Sequence, residues 1–111
     1  MGGDGRRVTV DEVLRLLPAE GVRSAAAFSR GSLIVKLYAP RDTDPQRPHA
    51  QDEVYVVVRG GGRFVVGAER HPFGPGDLLF VPAGVEHRFE DFSDDLTAWV
   101  IFYGPEGGER P

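Results

Sequence analysis

The feature that most constrains the fold is the frequency of glycine and proline from residue 25 onward. These residues interrupt the chain repeatedly and leave only short apolar segments between them. Such segments are too short for buried helices, and short apolar runs bounded by turn residues favour the strands of a sandwich or barrel. The predicted strands span residues 25–30, 32–38, 53–59, 62–66, 77–81, 87–90 and 96–103.

Glycine and proline also predict where the chain turns. The triplet Gly60–Gly62 joins two predicted strands closely enough for a hairpin. Residues 74–76 lead into the next strand. The segment Pro82-Ala83-Gly84 predicts a tight turn, because proline fixes φ and glycine tolerates conformations that other residues avoid. The pair His71-Pro72 lies in a stretch that is predicted to be turn-like.

A short helix is predicted ahead of the strands, over residues 9–17. Thr9 and Glu12 have the spacing of a capping box, in which each side chain satisfies a free amide at the helix start. One apolar stripe follows at helical spacing, at Val10, Val13, Leu14 and Leu17. A single stripe indicates a peripheral helix that docks on a larger surface. Residues 1–7 are predicted to be a flexible N-terminus and residues 104–111 a loose tail.

The length and charge limit the classes of function. A chain of 111 residues forms one domain, over residues 1–111, with 17 acidic against 13 basic residues and a net charge of −4. Without a basic stripe, we expect no nucleic-acid partner. No apolar run approaches the roughly 18 residues of a membrane span, and residues 1–5 lack the pattern of a signal peptide. We therefore expect no membrane partner and a cytoplasmic location.

The absence of cysteine directs attention to three histidines, His49, His71 and His87. A metal would have to be held by imidazole, carboxylate, amide or water. In an extended segment, His49, Gln51, Glu53 and Tyr55 share one face, and His87 shares a face with Phe89. If both faces line one interior, two imidazoles and a carboxylate converge. This donor set leaves coordination positions open and suits non-haem iron, manganese, nickel, cobalt or zinc.

Two segments with this pattern resemble the motifs of a known family. The segment from His49 to Gly60 reads HAQDEVYVVVRG and is similar to the latter part of the first cupin motif, G-x5-H-x-H-x3,4-E-x6-G. The segment from Gly76 to His87 reads GDLLFVPAGVEH and fits the second motif, G-x5-P-x-G-x2-H, without a gap. The resemblance to a small single-domain cupin, or monocupin, covers residues 32–103. It implies an all-β fold, a double-stranded β-helix or jelly-roll barrel with one interior metal site.

The chain also departs from these motifs. By the resemblance, His49, Glu53 and His87 take ligand positions, whereas Arg47 stands where the first histidine is expected. A guanidinium offers no lone pair to a metal, so Gln51 or water would have to replace that ligand. Residues 41–45 also lack the opening glycine of the first motif. Asp91 stands where the second motif ends in asparagine.

Several residues have a plainer interpretation beside the functional one. The histidines could be hydrogen-bonded inside a barrel that binds no metal. His71 matches no motif position and is expected to be exposed. Tyr55 and Phe89 are the candidates for lining a substrate pocket, although aromatic residues mostly fill small barrels. Arginine could bind an anionic substrate but is abundant at the surface, and the candidates are Arg47, Arg59 and Arg63.

These features favour a metal-dependent enzyme of the oxygenase type that acts on a small organic substrate. The alternatives are a non-catalytic small-molecule-binding module, a metal-free structural barrel and a sugar-type isomerase or epimerase. A sugar-phosphate isomerase would need a cationic phosphate site, and the predicted inward positions are largely apolar. We also expect a homodimer, formed through the helix stripe and the aromatic strand 96–103.

Overall fold

The structure is a computed structural model that describes residues 7–44 and 47–110. Predictions for residues 1–6, 45, 46 and 111 lie outside the described residues. The elements are α1 (Val10–Leu14), β1 (Ser24–Arg30), β2 (Leu33–Tyr38), β3 (Asp52–Arg59), β4 (Gly62–Val66), β5 (Glu69–Phe73), β6 (Leu78–Val81), β7 (His87–Glu90) and β8 (Thr97–Tyr103). No helix among the described residues has the length and apolar character needed to cross a lipid bilayer.

The strands form two antiparallel sheets that enclose one core. The larger sheet has the order β1-β2-β8-β3-β6, and the smaller has the order β5-β4-β7. Tyr55 and Val57 of β3 face Phe64 of β4 and Phe89 of β7 within the core cluster. Since alternate residues of a strand point to opposite faces, one face of each sheet supplies this core. The predicted all-β jelly-roll fold with a short N-terminal helix is confirmed.

The hairpin predicted at Gly60–Gly62 is wrong. Strand β3 pairs with β6 and β8, whereas β4 pairs with β5 and β7, so the glycine triplet carries the chain from one sheet to the other. The crossing lies against the backbone of residues 93–96: the Ser93 amide donates to the Gly61 carbonyl at 3.0 Å. Gly60 has a φ of +87°, and an added Cβ would lie 2.6 Å from Leu96 Cα. The glycines therefore serve a close backbone approach rather than a two-residue turn.

The turn-like assignment of His71 and Pro72 is also wrong, since both belong to β5. Phe64 pairs with His71 and Arg63 with Pro72. Strand β5 is an edge strand, where a proline that cannot donate to a neighbour is tolerated. Only Phe73 is buried among its residues. The strand escaped prediction because it lacks the alternation of apolar residues that marks a half-buried strand.

Helix α1 is shorter than predicted, and the Thr9 half of the predicted capping box is present. The Thr9 hydroxyl accepts a hydrogen bond from the Glu12 amide at 3.2 Å. After the helix, the Leu16 and Leu17 amides donate to carbonyls three residues earlier, as in a 3₁₀ turn. The chain then reaches Pro18, which disfavours helical geometry in the residue before it. The apolar stripe packs on β1 and β2, with Val13 beside Ala27 and Leu37 and against Trp99. The helix stripe and Trp99 therefore cover each other within the chain.

The tail beyond β8, which was predicted to be loose, forms long-range hydrogen bonds as far as residue 109. The Gly107 amide donates to the Ala50 carbonyl at 2.7 Å. The Glu109 amide donates to Asp52 Oδ2 at 2.9 Å, and Asp52 is buried. The glycine and glutamate content of this segment predicted a loose tail, because composition carries no information about hydrogen-bond partners that are distant in sequence.

Candidate metal centre

The structure brings His49, Glu53 and His87 together at the end of the core. One donor atom from each residue lies within 4.8 Å of the others. Glu53 comes from β3 and His87 from the start of β7, while His49 lies in the segment before β3. His87 Nε2 is 3.2 Å and His49 Nε2 is 3.9 Å from Glu53 Oε1. The predicted convergence of the two walls is therefore present in the fold.

The turn at Pro82–Gly84 connects the two walls of this cluster. The Val85 amide donates to the Pro82 carbonyl at 3.2 Å and closes the turn, with Gly84 at a φ of +78°. The Gly84 amide then donates to the His49 carbonyl at 2.7 Å. The turn that precedes His87 thus also fixes the backbone of His49. This contact gives a structural reason for the proline and glycine of that segment.

The burial of Glu53 is the feature of the site with the greatest energetic cost. Its side chain is fully buried, and neither carboxylate oxygen has a hydrogen-bond partner among the described residues; the same holds for His87 Nε2. The 3.2 Å approach of these groups is an ion-pair distance without hydrogen-bond geometry. Removing a carboxylate from water is costly unless a cation or donor replaces the water.

The tautomer of His87 follows from its other ring nitrogen. His87 Nδ1 is 3.0 Å from the Val85 carbonyl, which can only accept, so Nδ1 carries a proton. When His87 is neutral, its Nε2 lone pair faces the Glu53 carboxylate, so two acceptors face each other unless a proton or a cation lies between them. Metal-ligating histidines usually have this arrangement, with the second nitrogen bound to a carbonyl. The donor set therefore fits a divalent cation between these side chains.

The two imidazoles differ in their affinity for protons. Burial lowers the pKa of His87, but the Glu53 carboxylate and the Val85 carbonyl outweigh burial and hold that pKa above its usual value. The pKa of His49 lies below its usual value because burial, His87 and Lys36 outweigh the attraction of Glu53. His49 is thus the imidazole more readily available as a neutral ligand at neutral pH.

A cavity of about 290 Å³ opens beside His49, whose side chain is 36% exposed. Its walls combine apolar, hydroxyl and cationic groups, from Val22, Ser24, Lys36, Tyr38, Arg47, His49, Val100 and Phe102. The His49 ring lies 4.8 Å from the Phe102 ring, centre to centre. A small molecule in this cavity would therefore contact the one candidate ligand that is not buried.

The comparisons with known proteins agree with this architecture. The family described as the cupin domain matches residues 34–103. The chain belongs to the cupin family. An uncharacterized protein of Streptomyces coelicolor, SCO3923, is 47% identical over 77 residues, which are 68% of this chain and 73% of that protein. Acireductone dioxygenase 1 of Pectobacterium atrosepticum is 37% identical over 103 residues, 86% of this cupin and 59% of the relative.

Solved structures show the same fold. TT1209 from Thermus thermophilus superimposes with a TM-score of 0.70 at 24% identity, covering 87% of this cupin and 96% of that chain. A protein of unknown function from Rhizobium leguminosarum gives a TM-score of 0.69 at 21% identity, with coverage of 88% and 95%. At these identities the likeness concerns the fold alone.

The Gln51 side chain forms hydrogen bonds with two distant carbonyl groups. Its amide nitrogen donates to the Ser32 carbonyl at 3.0 Å and the Gly104 carbonyl at 2.9 Å. The side chain thus links the β1–β2 turn to the end of β8. Both bonds use the amide nitrogen, whereas a metal would be bound by the amide oxygen, so ligation by Gln51 stays a prediction. The chain bends at residues 50 and 51, which breaks the strand alternation assumed from sequence.

Tyr55 and Phe89 lie in the core behind the cluster rather than in the cavity wall. Their rings pack edge to face at 5.0 Å, and both side chains are buried. The Tyr55 ring is 6.1 Å from that of His87. Tyr55 therefore packs near the candidate ligand His87, and Phe89 packs against Tyr55. Sequence parity identified their face correctly, but it could not show which inward residues are covered by the opposite sheet.

Sequence reasoning missed Lys36, Tyr38 and Phe102 as cavity residues. The signal for Lys36 was its parity: it shares the inward face of β2 with Ile34 and Tyr38. A charged residue between two core positions is uncommon and indicates a candidate functional residue. Strand alternation alone could have identified it.

The remaining residues that were singled out from the sequence lie in different parts of the structure. Arg47 lines the cavity, whereas Arg63 lies near Asp91, with their charged groups 4.0 Å apart. His71 is exposed and pairs with Glu69 at 2.9 Å, outside the cluster, as expected. Asp91 has a φ of +50°, a left-handed conformation that aspartate and asparagine tolerate better than most residues. The exchange of asparagine for aspartate there is thus compatible with the backbone.

Proposed function

We propose that this cupin is a small metal-dependent enzyme of the oxygenase type that acts on a small organic substrate in the cavity beside His49. One observation carries the proposal: a fully buried carboxylate without a hydrogen-bond partner among the described residues lies close to two imidazole nitrogens, and one of these imidazoles, that of His49, lines an open cavity. The relative named acireductone dioxygenase supports the choice of reaction class. This cupin spans 59% of that relative, so the specific reaction is not transferred.

Each residue of the cluster would have its own role. Glu53 and His87 are buried and would anchor the cation from two different sheets. His49 would complete a two-histidine, one-carboxylate set and face the substrate. A divalent transition metal in such a set, whether iron, manganese, nickel, cobalt or zinc, leaves positions for a substrate and for dioxygen.

The surrounding residues would orient the substrate and limit water. Val100 and Phe102 give the cavity an apolar wall. The Tyr38 hydroxyl donates to Asp44, so this ring is fixed in place rather than free to swing. The Val85 carbonyl holds the ring orientation of His87. A rigid wall of this kind favours binding in a single orientation.

Metal content tests the proposal. Tag-free protein is reconstituted with each of the five metals, freed of excess metal and analysed by mass spectrometry. We expect about one ion per chain for at least one metal, with uptake lost in Glu53→Ala and His49→Ala and retained in His71→Ala. Less than about 0.2 ions per chain for every metal would refute the proposal.

A binding module remains the second candidate, because the cavity exists with only three candidate ligands among the described residues and Arg47 at the position of the family's first histidine. Oxygen consumption by iron-loaded protein with phenolic and enediol substrates separates the two candidates. Ligand-induced shifts in melting temperature without any turnover would favour the module. Turnover that requires Glu53 would favour the enzyme.

A further inference from the structure

The cavity beside His49 contains two cationic side chains from different parts of the chain. Lys36 is the chain's only lysine and lies half-buried on β2, directly opposite Val100 of β8. Arg47 enters from the segment before His49. Both line the cavity with the candidate ligand His49. The position of Lys36 is not that of a surface charge, because its neighbours on the same face, Ile34 and Tyr38, contribute to the core.

Neither cation has an acidic partner within the part of the chain that the structure describes. The ion pairs of arginine side chains there involve Arg63, Arg70 and Arg88 instead. The Lys36 ammonium lies 5.9 Å from the centre of the Phe102 ring, within the range of a cation–π contact. This contact orients the lysine beside an apolar wall. No carboxylate of residues 7–44 or 47–110 forms an ion pair with the ammonium of Lys36.

The charge of the cavity contrasts with that of the whole chain. The chain has a net charge of −4. The described residues that line the cavity nevertheless include Lys36 and Arg47 and no acidic residue. Two carboxylates lie close to this wall: Asp44 accepts the hydrogen bond of the Tyr38 hydroxyl, and Glu53 is fully buried behind His49 and would be neutralised by the cation proposed above. Two cations beside a metal site make the cavity attractive to anions and unattractive to cations.

We propose that the cavity binds a small organic anion, whose oxyanion group is held by Lys36 and Arg47 while its apolar part lies against Val100 and Phe102. This inference rests on the proposed function and names its substrate class. The guanidinium of Arg47 can bind a carboxylate or phosphate through two parallel hydrogen bonds, and Lys36 adds a point charge. A cavity of about 290 Å³ limits the ligand to a small molecule.

The two cations of the cavity also bear on the kind of anion that it can bind. The inward positions were expected to be largely apolar, which spoke against a phosphorylated substrate. Lys36 and Arg47 supply the cationic pair that such a substrate needs. A carboxylate and a phosphate ligand would share the same chemistry, an oxyanion on a small apolar body. The experiment below tests each of the two groups separately.

Isothermal titration tests this inference with three probes of similar shape. Metal-free and metal-loaded protein are titrated with benzoate, phenyl phosphate and the neutral analogue benzamide. We expect at least one anion to bind about tenfold or more tightly than benzamide, in line with one or two charged hydrogen bonds. Raising the salt concentration should weaken binding of the anion and not of benzamide. The tighter anion identifies carboxylate or phosphate as the preferred group.

Matched variants locate the effect. Lys36→Met removes the charge and keeps the length of the stem, and Arg47→Gln removes the guanidinium from an exposed position. Each should weaken anion binding about tenfold, while the exposed Arg59→Gln leaves it unchanged. Equal binding of the anions and benzamide, or equal affinity in Arg47→Gln and Arg59→Gln, would overturn the inference.

Metal uptake keeps this result separate from the proposed function. Anion binding without metal uptake would refute the metal-dependent enzyme and leave the anion site in place. Metal uptake in a protein that does not distinguish the anions from benzamide would do the reverse. Lys36→Met and Arg47→Gln are also expected to take up metal normally, since neither residue belongs to the cluster of candidate ligands.

Discussion

Glu53 combines complete burial with a formal charge, and this combination predicts how its substitution behaves. Glu53→Gln keeps the size of the side chain and removes the charge that burial disfavours. We expect the metal-free protein to keep its free energy of unfolding within about 1 kcal/mol, because glutamine removes a buried charge that lacks a hydrogen bond and its amide can donate to the Nε2 lone pair of neutral His87. Metal uptake should nevertheless fall sharply. Urea denaturation of the metal-free variant, with metal analysis alongside it, measures both quantities.

The opposite outcome would identify a structural ion pair. If Glu53→Gln lowers the stability of the metal-free protein by about 3 kcal/mol or more, then Glu53 and His87 stabilise the fold through their own attraction. His71→Gln is the control, because His71 is exposed and pairs with Glu69 at the surface. Its unfolding and its metal uptake should match those of the unsubstituted protein.

Gln51 offers a test of the ligand set. Its amide nitrogen bridges the Ser32 and Gly104 carbonyls, so Gln51→Ala removes two hydrogen bonds between distant parts of the chain. We expect a loss of about 1–2 kcal/mol in the free energy of unfolding and unchanged metal stoichiometry. Thermal denaturation and metal analysis of the same sample decide the matter. Loss of metal with unchanged stability would restore Gln51 as a ligand.

The residues of the candidate site were predictable to the extent that they follow local spacing. His49, Glu53 and His87 follow from two motif-like segments, and the chain folds so that these segments meet. The contribution of Lys36 was harder to see because it depends on which face of β2 meets the core. Ligation by Gln51 stays a prediction, because a bend at residues 50 and 51 interrupts the strand alternation on which it was based.

At the scale of elements, the crossing at Gly60–Gly62 determines how the two sheets are connected. Gly60→Ala would require an alanine at a φ of +87° and a Cβ 2.6 Å from Leu96 Cα. We expect a loss of at least about 2 kcal/mol, from left-handed strain and from displacement of the neighbouring backbone. Gly74→Ala is the control, since an added Cβ there meets nothing within 4 Å. Urea denaturation of both variants measures the difference, and equal stability would contradict the tight crossing.

The strands were predictable where one face is buried and less so at the edges. Strands β3 and β8 alternate clearly between buried and partly exposed residues, and both were predicted. Edge strand β5 has four exposed residues of five and contains Pro72, so neither burial nor propensity marks it. The partner of β4 was mispredicted for a different reason. A short glycine-rich connection is compatible with a hairpin and with a crossing, and only packing distinguishes them.

At the scale of the molecule, the homodimer stays a prediction, but its expected surface has changed. The helix stripe and Trp99 pack against each other within the chain. Leu78 and Phe80 of β6 remain 70% and 51% exposed at the edge of the larger sheet. If a dimer forms, we expect it to bury these side chains, and Phe80→Ser should weaken association. Sedimentation velocity measures this, and a monomer at all concentrations for the unsubstituted protein would refute it.

The candidate metal site also couples the two sheets. Glu53 belongs to the larger sheet and His87 to the smaller, so a cation held by both would join sheets that otherwise meet through apolar packing. At a free metal concentration of 100 times Kd, we expect about 2.7 kcal/mol of stabilisation and a rise in Tm of about 10 °C. The half-exposed position of His49 makes His49→Ala the variant that should lose the shift without losing the fold.

Hydrogen exchange shows whether that stabilisation reaches both sheets. A cation bridging Glu53 and His87 must be released before either sheet opens alone, so metal should slow amide exchange in β3 and equally in β4 and β7. His49→Ala should show a much smaller effect in all three strands, whereas His71→Ala should respond like the unsubstituted protein. Slower exchange confined to β3 would mean that the metal is held by one sheet, which would contradict ligation by His87.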